Sequence, residues 1–169
     1  MAIRAAILTI SDKASRGERV DTSGQAIGEL LATIDASIQH IKVVPDERPQ
    51  IAQILRDWAD SDELDLIVST GGTGLGPRDV TPEATAEVIE RPVPGLGELM
   101  RATGLKHTPM AALSRGVVGV RGRCLIVNLP GSERGVRENL TAVLDLLPHA
   151  VELLRGRVGD HAASAKPQS

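Results

Sequence analysis

Short apolar runs and segments of helical period alternate along most of this chain. Residues 3–10, 37–44 and 64–69 predict three strands, and the third is apolar enough to be buried on both faces. Two helical stripes follow the first and the second strand: Ile27, Leu30, Leu31 and Ile34, then Ile51, Ile54, Leu55 and Trp58. This alternation is typical of a mostly parallel sheet with helices on both faces, so we predict an α/β fold with Trp58 in its core.

The second half of the chain continues the alternation with more interruptions. Thr81 is expected to cap a helix that has Pro82 at its first position, and prolines and glycines after residue 93 predict a broken helical region up to about residue 104. Residues 116–120 and 124–129 flank "RGR" and predict a β-hairpin. A last helix is expected to begin at Ser132 or a neighbour and to bend at Pro148.

Length and composition limit what the chain can be. Its 169 residues can bury one good core, so we predict a single domain over residues 1–155 and a flexible C-terminal tail over residues 156–169. A net charge of −3 and 1% aromatic residues provide neither a basic surface nor stacking rings for a nucleic acid. No apolar run approaches a membrane span, Cys124 is expected to be buried and inert, and a cytoplasmic location follows as the expectation.

Four polar or glycine-rich segments leave the predicted strands. They cover residues 11–24, 45–47, 69–83 and 130–132. Ligands of open α/β sheets bind in the crevice beyond the carboxyl ends of the strands. We therefore expect these four segments to meet at one edge of the sheet and to form the functional site.

"STGGTGLGPRDVTPE", residues 69–83, is the most glycine-rich of these segments. It is not a Walker A loop, because Pro77 stands where the lysine is required, and it lacks the third glycine of the dinucleotide-binding fingerprint. Glycines still let backbone N–H groups approach an anion closely, and the following helix adds its dipole. The segment, called the glycine loop below, indicates a phosphate-binding site, with a tight structural turn as the alternative.

Two carboxylates accompany this loop. Asp46 follows the second strand and Asp79 precedes the helix expected at Thr81. Acids beside a phosphate-binding loop make electrostatic sense when a divalent cation lies between them and the phosphates, and magnesium is the natural candidate. The alternative for either residue alone is a structural role, in which Asp79 caps a helix and Asp46 closes a turn.

Several ordered motifs resemble the MoaB/Mog family of molybdenum-cofactor biosynthesis. They are "SD" after the first strand, "VVPDE" after the second, "TGGTG" with "PRDVTPEAT", "LSRG" at 113–116 and "NLPGS" at 128–132. Within the family, the chain is most similar to molybdopterin adenylyltransferases. The resemblance implies a three-layer α/β/α sandwich, a homotrimer or hexamer, which binds molybdopterin and ATP, requires Mg²⁺, and joins AMP to molybdopterin with release of pyrophosphate.

The resemblance also implies roles for individual residues. Asp46 and Asp79 would be the catalytic and metal-binding acids. The substrate-binding residues would be Ser11 and Asp12 at the floor of the site, Gly71, Gly72, Thr73 and Gly74 at the phosphates, Ser114 and Arg115 at the pterin phosphate, and Pro130, Gly131 and Ser132 near the nucleotide. Glu133 departs from the family, many of whose members have a proline there. For Ser11, Asp12, Ser114 and Arg115 the alternative is a turn, a cap or an ion pair without a ligand.

Two other functions remain open from the sequence. One is a member of the same family that binds a pterin without adenylylating it. The other is a nucleotide-cleaving enzyme on a similar domain, as in competence-damage-type proteins, although those usually carry additional chain.

Overall fold

A computed structural model describes residues 1–157, so that residues 158–169, most of the predicted tail, lie outside the described part. Within residues 1–157, six strands form one sheet in the order β2-β1-β3-β6-β5-β4. In chain order the strands are β1 (Ile3–Ile10), β2 (Ala36–Val44), β3 (Leu66–Thr70), β4 (Arg91–Pro92), β5 (Val118–Arg121) and β6 (Cys124–Leu129). The first four strands in the spatial order are parallel, and β5 and β4 are antiparallel to their neighbours. The predicted mostly parallel sheet and the hairpin around residues 121–123 are thereby confirmed.

The described residues contain seven helices, six of which pack on the two faces of the sheet, and this confirms the three-layer α/β/α architecture. They are α1 (Asp12–Ser15), α2 (Thr22–Ala32), α3 (Arg48–Asp60), α4 (Thr81–Ala86), α5 (Pro94–Leu105), α6 (Glu133–Val143) and α7 (Leu147–Leu154). Helices α2, α5, α6 and α7 bury their apolar faces against one side of the sheet, and α3 and α4 pack on the other side. No helix in the described part of the chain combines the length and the apolar character needed to cross a bilayer.

The alternating side chains of the central strands explain why two cores form. In β1, Ile7 contacts the core on the α2 side, whereas Leu8 contacts the core on the α3 side. Strand β3 is buried at every position, as its apolar sequence predicts. Cys124 is 1% exposed and burial raises the pKa of its thiol to about 12, which confirms that it is an inert buried cysteine.

Helix boundaries differ from the sequence expectation at two places. Val80, not Thr81, precedes α4, and the hydroxyl of Thr81 donates instead to the carbonyl of Gly71. Helix α5 is continuous over 12 residues, although a broken region was predicted there. Pro94 is its first residue, where a missing N–H has no cost. Gly97, within the helix, is buried.

The last helical segment and the tryptophan also differ from the prediction. Helix α6 ends at Val143, before Pro148, and a short 3₁₀ turn, Leu144–Leu146, separates it from α7. Ser132 is the N-cap of α6 as predicted, because its hydroxyl accepts from the N–H of Gly135. Trp58 is only half-buried at the margin of the core, where it stacks on His40 with 5.6 Å between ring centroids.

A buried ion-pair cluster closes the amino end of the sheet, opposite to the glycine loop. Asp65 is 3% exposed and accepts from the guanidinium groups of Arg4 and Arg155. Burial acts to raise the pKa of Asp65, but the hydrogen bonds from both arginines outweigh it and hold the pKa well below its usual range. The cluster ties α7 to β1 and to the start of β3.

Asp65→Asn should lower the free energy of unfolding by about 3–5 kcal/mol, because it leaves two partly buried cations without their counter-ion. Since the folded-state pKa of Asp65 is lowered, its stabilisation is complete above the unfolded value of about 3.9 and is lost as pH falls below it. Urea denaturation at pH 7 and at decreasing pH should therefore show the variant's deficit shrinking in acid. Asp62→Asn, which alters an exposed pair with Arg123, is the control and should change little.

Candidate functional site

The carboxyl ends of four parallel strands meet at one edge of the sheet, as predicted. β1 ends just before Ser11 and β2 just before Pro45 and Asp46. β3 ends at the second residue of the glycine loop, and β6 ends just before Pro130. The strand order places β1 between β2 and β3, so Asp46 and the glycine loop flank the exit of β1 and do not come from adjacent strands. The loops are nevertheless brought together at this edge.

The start of the glycine loop packs against backbone. Gly71 has φ +99°, and a Cβ on it would lie 2.1 Å from the carbonyl oxygen of Ile10. Its N–H donates to the carbonyl of Leu129 at 3.1 Å. Only glycine fits here, and because its donor is already used, Gly71 shapes the loop and does not offer the N–H that the sequence predicts for phosphate.

The next three residues have the opposite arrangement. The carbonyls of Gly72, Thr73 and Gly74 accept hydrogen bonds from Thr81, from the backbone N–H of Arg115 and from its side chain, respectively. Within residues 1–157, no acceptor is present for the N–H groups of the same three residues. Consecutive N–H groups without acceptors are the feature that binds anions in loops of this kind.

The segment after β6 repeats this arrangement. The carbonyl of Pro130 accepts from the hydroxyl of Thr70 at 2.6 Å, and the carbonyl of Gly131 accepts from that of Ser23 at 2.9 Å. The N–H groups of Gly131 and Ser132 have no acceptor in the part of the chain that is described. They precede α6, whose positive dipole end also favours an anion.

Asp12 and Asp46 hold two strand exits together. The carboxylate of Asp46 accepts from the N–H of Asp12 at 2.9 Å, and that of Asp12 accepts from the N–H of Asp46 at 3.0 Å. Arg78 of the glycine loop adds two hydrogen bonds to Asp12 and one to Glu47. Hydrogen bonds from Arg78 lower the pKa of Asp12, whereas burial, together with the charges of Asp12 and Asp79, raises the pKa of Asp46.

Asp79 lies within the glycine loop and closes it. One carboxylate oxygen accepts from the N–H of Gly76 at 2.9 Å, and the N–H of Asp79 donates back to the carbonyl of Gly76. A Cβ on Gly74 would lie 2.8 Å from the same oxygen, Oδ2, and a Cβ on Gly72 would lie 3.1 Å from Oδ1 of Asp46. Both acids thus touch the segment that carries the three N–H groups without acceptors.

The donor set at these acids fits a divalent cation. Oδ1 of Asp46 and Oδ1 of Asp79 accept no hydrogen bond from residues 1–157, so each acid keeps one free oxygen. The described residues contain no group of three or more His, Cys, Asp or Glu that could hold a metal by themselves. A cation here would complete its shell with oxygens of water and of phosphate, as magnesium usually does. The metal-binding role of Asp46 and Asp79 stays a prediction.

Arg115 supports the glycine loop from outside. Its guanidinium donates to the carbonyls of Gly74 and Asp79, each at 2.8 Å, and to the carboxylate of Glu83. The Glu83 side chain is 39% exposed overall, yet its Oε2 is buried without a hydrogen-bond partner within residues 1–157, and the contact with Arg115 lowers its pKa. The geometry gives Arg115 a positioning role; the predicted contact with a pterin phosphate stays a prediction.

Arg115→Lys should loosen the glycine loop, because one ammonium cannot replace three guanidinium contacts made in different directions. We expect amide hydrogen exchange at Asp79 and Thr81, whose N–H groups bond within the loop, to accelerate by roughly tenfold, as loss of at least about 1.4 kcal/mol implies. Arg48→Lys is the matched control, since Arg48 pairs only with the surface residue Glu87 among the described residues. Equal exchange in both variants would contradict this role.

Two adjoining cavities open beside these loops. The first, of about 250 Å³, is lined by residues of the β1 exit and the start of α2, with Ser11 and Gly71 among the predicted residues. The second, of about 420 Å³, has more apolar walls and includes these predicted residues: Gly72, Thr73, Gly74, Asp79, Ser114 and Pro130. Gly131 and Ser132 line both cavities. Asp12, Asp46 and Arg115 line neither of the two cavities.

The sequence reasoning missed several residues of these walls. Arg19 lines the first cavity, and Glu138 and Asn139 line the second. Arg78, within the glycine loop, was not given a role although it holds the loop to Asp12 and Glu47. Arg78 could have been identified as the single cation of the glycine-rich segment, whereas Glu138 looks like any other charged residue on a helix.

The fold and the site together define a class: an open α/β domain with N–H groups without acceptors, beside carboxylates, at the carboxyl edge of its sheet in the described residues. Residues 6–149 match the protein family described as "Probable molybdopterin binding domain". The chain belongs to this family.

Relatives of known structure and curated relatives agree with this assignment. The crystal structure of the molybdopterin biosynthesis enzyme MoaB from Thermus thermophilus is 60% identical, with a TM-score of 0.86 over 91% of this chain and 97% of that one. A molybdopterin adenylyltransferase of Helicobacter pylori is 45% identical over 91% of this chain and 89% of its own length. The molybdenum cofactor synthesis protein cinnamon of Drosophila melanogaster is 47% identical over 88% of this chain, which spans only 25% of that protein.

Proposed function

We propose that the protein is a molybdopterin adenylyltransferase, which transfers AMP from ATP to molybdopterin and releases pyrophosphate. The observation that carries the proposal is the pair of cavities sharing Gly131 and Ser132, with N–H groups without acceptors on both glycine-rich segments within residues 1–157. A transfer between two phosphorylated substrates needs two compartments whose phosphate ends meet. Similarity to the Helicobacter pylori enzyme over most of both chains supports the same function.

We assign the smaller, more polar cavity to the nucleotide and the larger one to the pterin. The smaller cavity presents Arg19 and Ser11 to a charged ligand. The larger one presents apolar surface from Met110, Ala111 and Leu113, which suits a flat fused-ring system. The phosphate ends of both ligands would then meet near Ser132.

In this arrangement an oxygen of the terminal phosphate of molybdopterin attacks the α-phosphorus of ATP. The bond between that phosphorus and the bridging oxygen breaks, and pyrophosphate leaves with that oxygen. The N–H groups of Gly72, Thr73 and Gly74 would hold one phosphate and those of Gly131 and Ser132 the other, which orients the attack and spreads its charge. No covalent bond to the protein is needed.

Magnesium would bind to the free oxygens of Asp46 and Asp79. When bound there, it would neutralise the negative charge that develops on the phosphates during the transfer. Asp46 is oriented for this role by its hydrogen bond from Asp12, and Asp79 by its bond from Gly76. Burial raises the pKa of Asp46, so this carboxylate takes up a proton at a higher pH than an ordinary aspartate does. As the solution is acidified, cation binding should therefore begin to weaken at a higher pH than it would at an ordinary aspartate.

Incubation of the chain with molybdopterin, ATP and Mg²⁺ tests the proposal. Pyrophosphate and adenylylated molybdopterin should form in equal amounts, and both should disappear when magnesium is chelated. Binding of molybdopterin without pyrophosphate release above a protein-free blank would favour the alternative, a pterin-binding member of the family that does not catalyse the transfer.

A homotrimer in the cytoplasm is part of the same proposal. Leu99 and Leu105 on α5 and Met110 and Leu113 in the 3₁₀ turn Pro109–Leu113 are exposed apolar residues, and the last two also line the larger cavity. A hexamer is the other assembly that the resemblance allows. Sedimentation equilibrium should give three times the mass of the chain, and a monomer would contradict the proposal.

A further inference from the structure

The larger cavity has a polar end that the proposed mechanism does not use. One end is formed by Gly72, Thr73 and Gly74, and the cavity extends along α6 to Glu138 and Asn139. Glu138 lies six residues beyond Ser132 and so roughly 9 Å along the helix axis, at about 1.5 Å per residue. This separation is comparable with the distance from the phosphate of a pyranopterin to the far edge of its pterin ring.

Glu138 has a carboxylate oxygen available to a ligand. Its side chain is 16% exposed, and Oε1 accepts from Arg134 at 2.8 Å and lies 3.8 Å from Nδ1 of His107. No donor among residues 1–157 reaches Oε2. The side chain of Arg134 is 77% exposed, so this surface pair does not account for a carboxylate in the wall of a mostly apolar cavity.

The neighbouring residues close this end of the cavity. Gly104 faces it from α5, and a Cβ there would lie 2.9 Å from the Cβ of Ala111 and 3.9 Å from the amide nitrogen of Asn139. Asn139 is fixed by the hydrogen bond from its amide to the carbonyl of Gly135 at 2.8 Å. A flat ring that extends along the cavity from Ser132 would therefore meet Glu138 with its edge at this closed end.

We propose that Glu138 recognises the 2-amino and N3–H edge of the pterin ring. That edge presents two parallel N–H donors, which match the two oxygens of a carboxylate. The inference rests on the proposed function insofar as it places a pterin in this cavity. It goes further in naming the residue that distinguishes a pterin from other bicyclic rings.

Lumazine provides the test, because an oxo group replaces the 2-amino group and would place an acceptor against the carboxylate. Equilibrium dialysis with 6-hydroxymethylpterin and 6-hydroxymethyllumazine, detected by their fluorescence, measures both affinities without any transfer reaction. The unaltered chain should prefer the pterin by at least roughly tenfold, since an unmatched polar group discriminates strongly. Glu138→Gln, whose amide offers both a donor and an acceptor, should lose most of that preference.

Two further measurements separate the possible outcomes. Arg134→Ala removes the surface partner of Glu138 but keeps the carboxylate, so it should retain the preference. In the transfer assay, Glu138→Gln should raise KM for molybdopterin and leave KM for ATP unchanged. Equal affinity of the unaltered chain for both rings, no binding of the pterin, or an unchanged preference in Glu138→Gln would overturn the inference. A chain that discriminates the rings but releases no pyrophosphate would refute only the proposed function.

Discussion

Asp79→Asn should fold like the unaltered chain and lose roughly 100-fold or more in kcat for pyrophosphate release, the usual effect of removing one group that stabilises transition-state charge. The amide oxygen of asparagine can still accept from the N–H of Gly76, so the turn at the end of the glycine loop should remain. What disappears is the negative charge beside Asp46. The proposed cation would then have one carboxylate in place of two, and its affinity should fall together with the rate.

The control for this variant is Asp145→Asn, which removes an exposed carboxylate of the 3₁₀ turn after α6. Both variants should have the same midpoint of thermal unfolding as the unaltered chain within error. Rates should be measured over a range of magnesium concentrations, because weakened cation binding is partly overcome by excess metal. A near-normal kcat for Asp79→Asn at low magnesium would refute the assignment of Asp79 to the metal and to catalysis.

Gly72→Ala should weaken the magnesium-dependent binding of ATP by at least about tenfold, or 1.4 kcal/mol, because it disturbs the proposed cation at Asp46 and not the nucleotide cavity itself. Gly72 has φ +67°, and a Cβ there would lie 2.4 Å from the hydroxyl oxygen of Thr81 and 3.1 Å from Oδ1 of Asp46. The methyl group must displace one or both, and it projects toward the oxygen of Asp46 that is free for the cation. The first of the three N–H groups without acceptors would move with it. Isothermal titration with ATP and magnesium measures the loss.

Gly122→Ala separates backbone strain from damage to the site. Gly122 has φ +56° in the hairpin between β5 and β6. Apart from Gly122 and its two neighbours in sequence, no heavy atom of residues 1–157 lies within 4 Å of the position that an added methyl group would take. Both variants carry the left-handed strain of a non-glycine residue, about 1–3 kcal/mol of stability. Only Gly72→Ala should lose ATP affinity. If both variants bind ATP as the unaltered chain does, the glycine loop only turns the chain.

The periodicity of apolar residues predicted individual strands and helices. β1 was predicted with its observed ends, and the stripe of Ile51, Ile54 and Leu55 is the buried face of α3. The meeting of the glycine loop with Asp46 follows from a general property of parallel sheets and needs no knowledge of strand order. The order itself, with β1 between β2 and β3, is not encoded in any periodicity.

The errors have physical causes in tertiary contacts. Thr81 looks like a helix cap, whose hydroxyl would accept from a helix N–H. It lies inside α4 instead, and its hydroxyl donates to the carbonyl of Gly71, 10 residues earlier in the chain. The glycines of α5 predict interruption when only propensity is considered, yet packing stabilises that helix. Donor availability cannot be read from sequence either: Gly71 and Gly72 are adjacent glycines, and only the structure shows that one N–H is occupied and the other has no acceptor within residues 1–157.

Gly131 and Ser132 form a wall common to both cavities, and two ligands on either side of it cannot behave independently. Because one wall serves both cavities, occupancy on one side should alter affinity on the other, by the same factor in both directions. A single molecule with a pterin at one end and an adenosine at the other would fill both cavities and would lose translational and rotational freedom only once. Such bisubstrate compounds are the natural inhibitors to seek for a site with this partition.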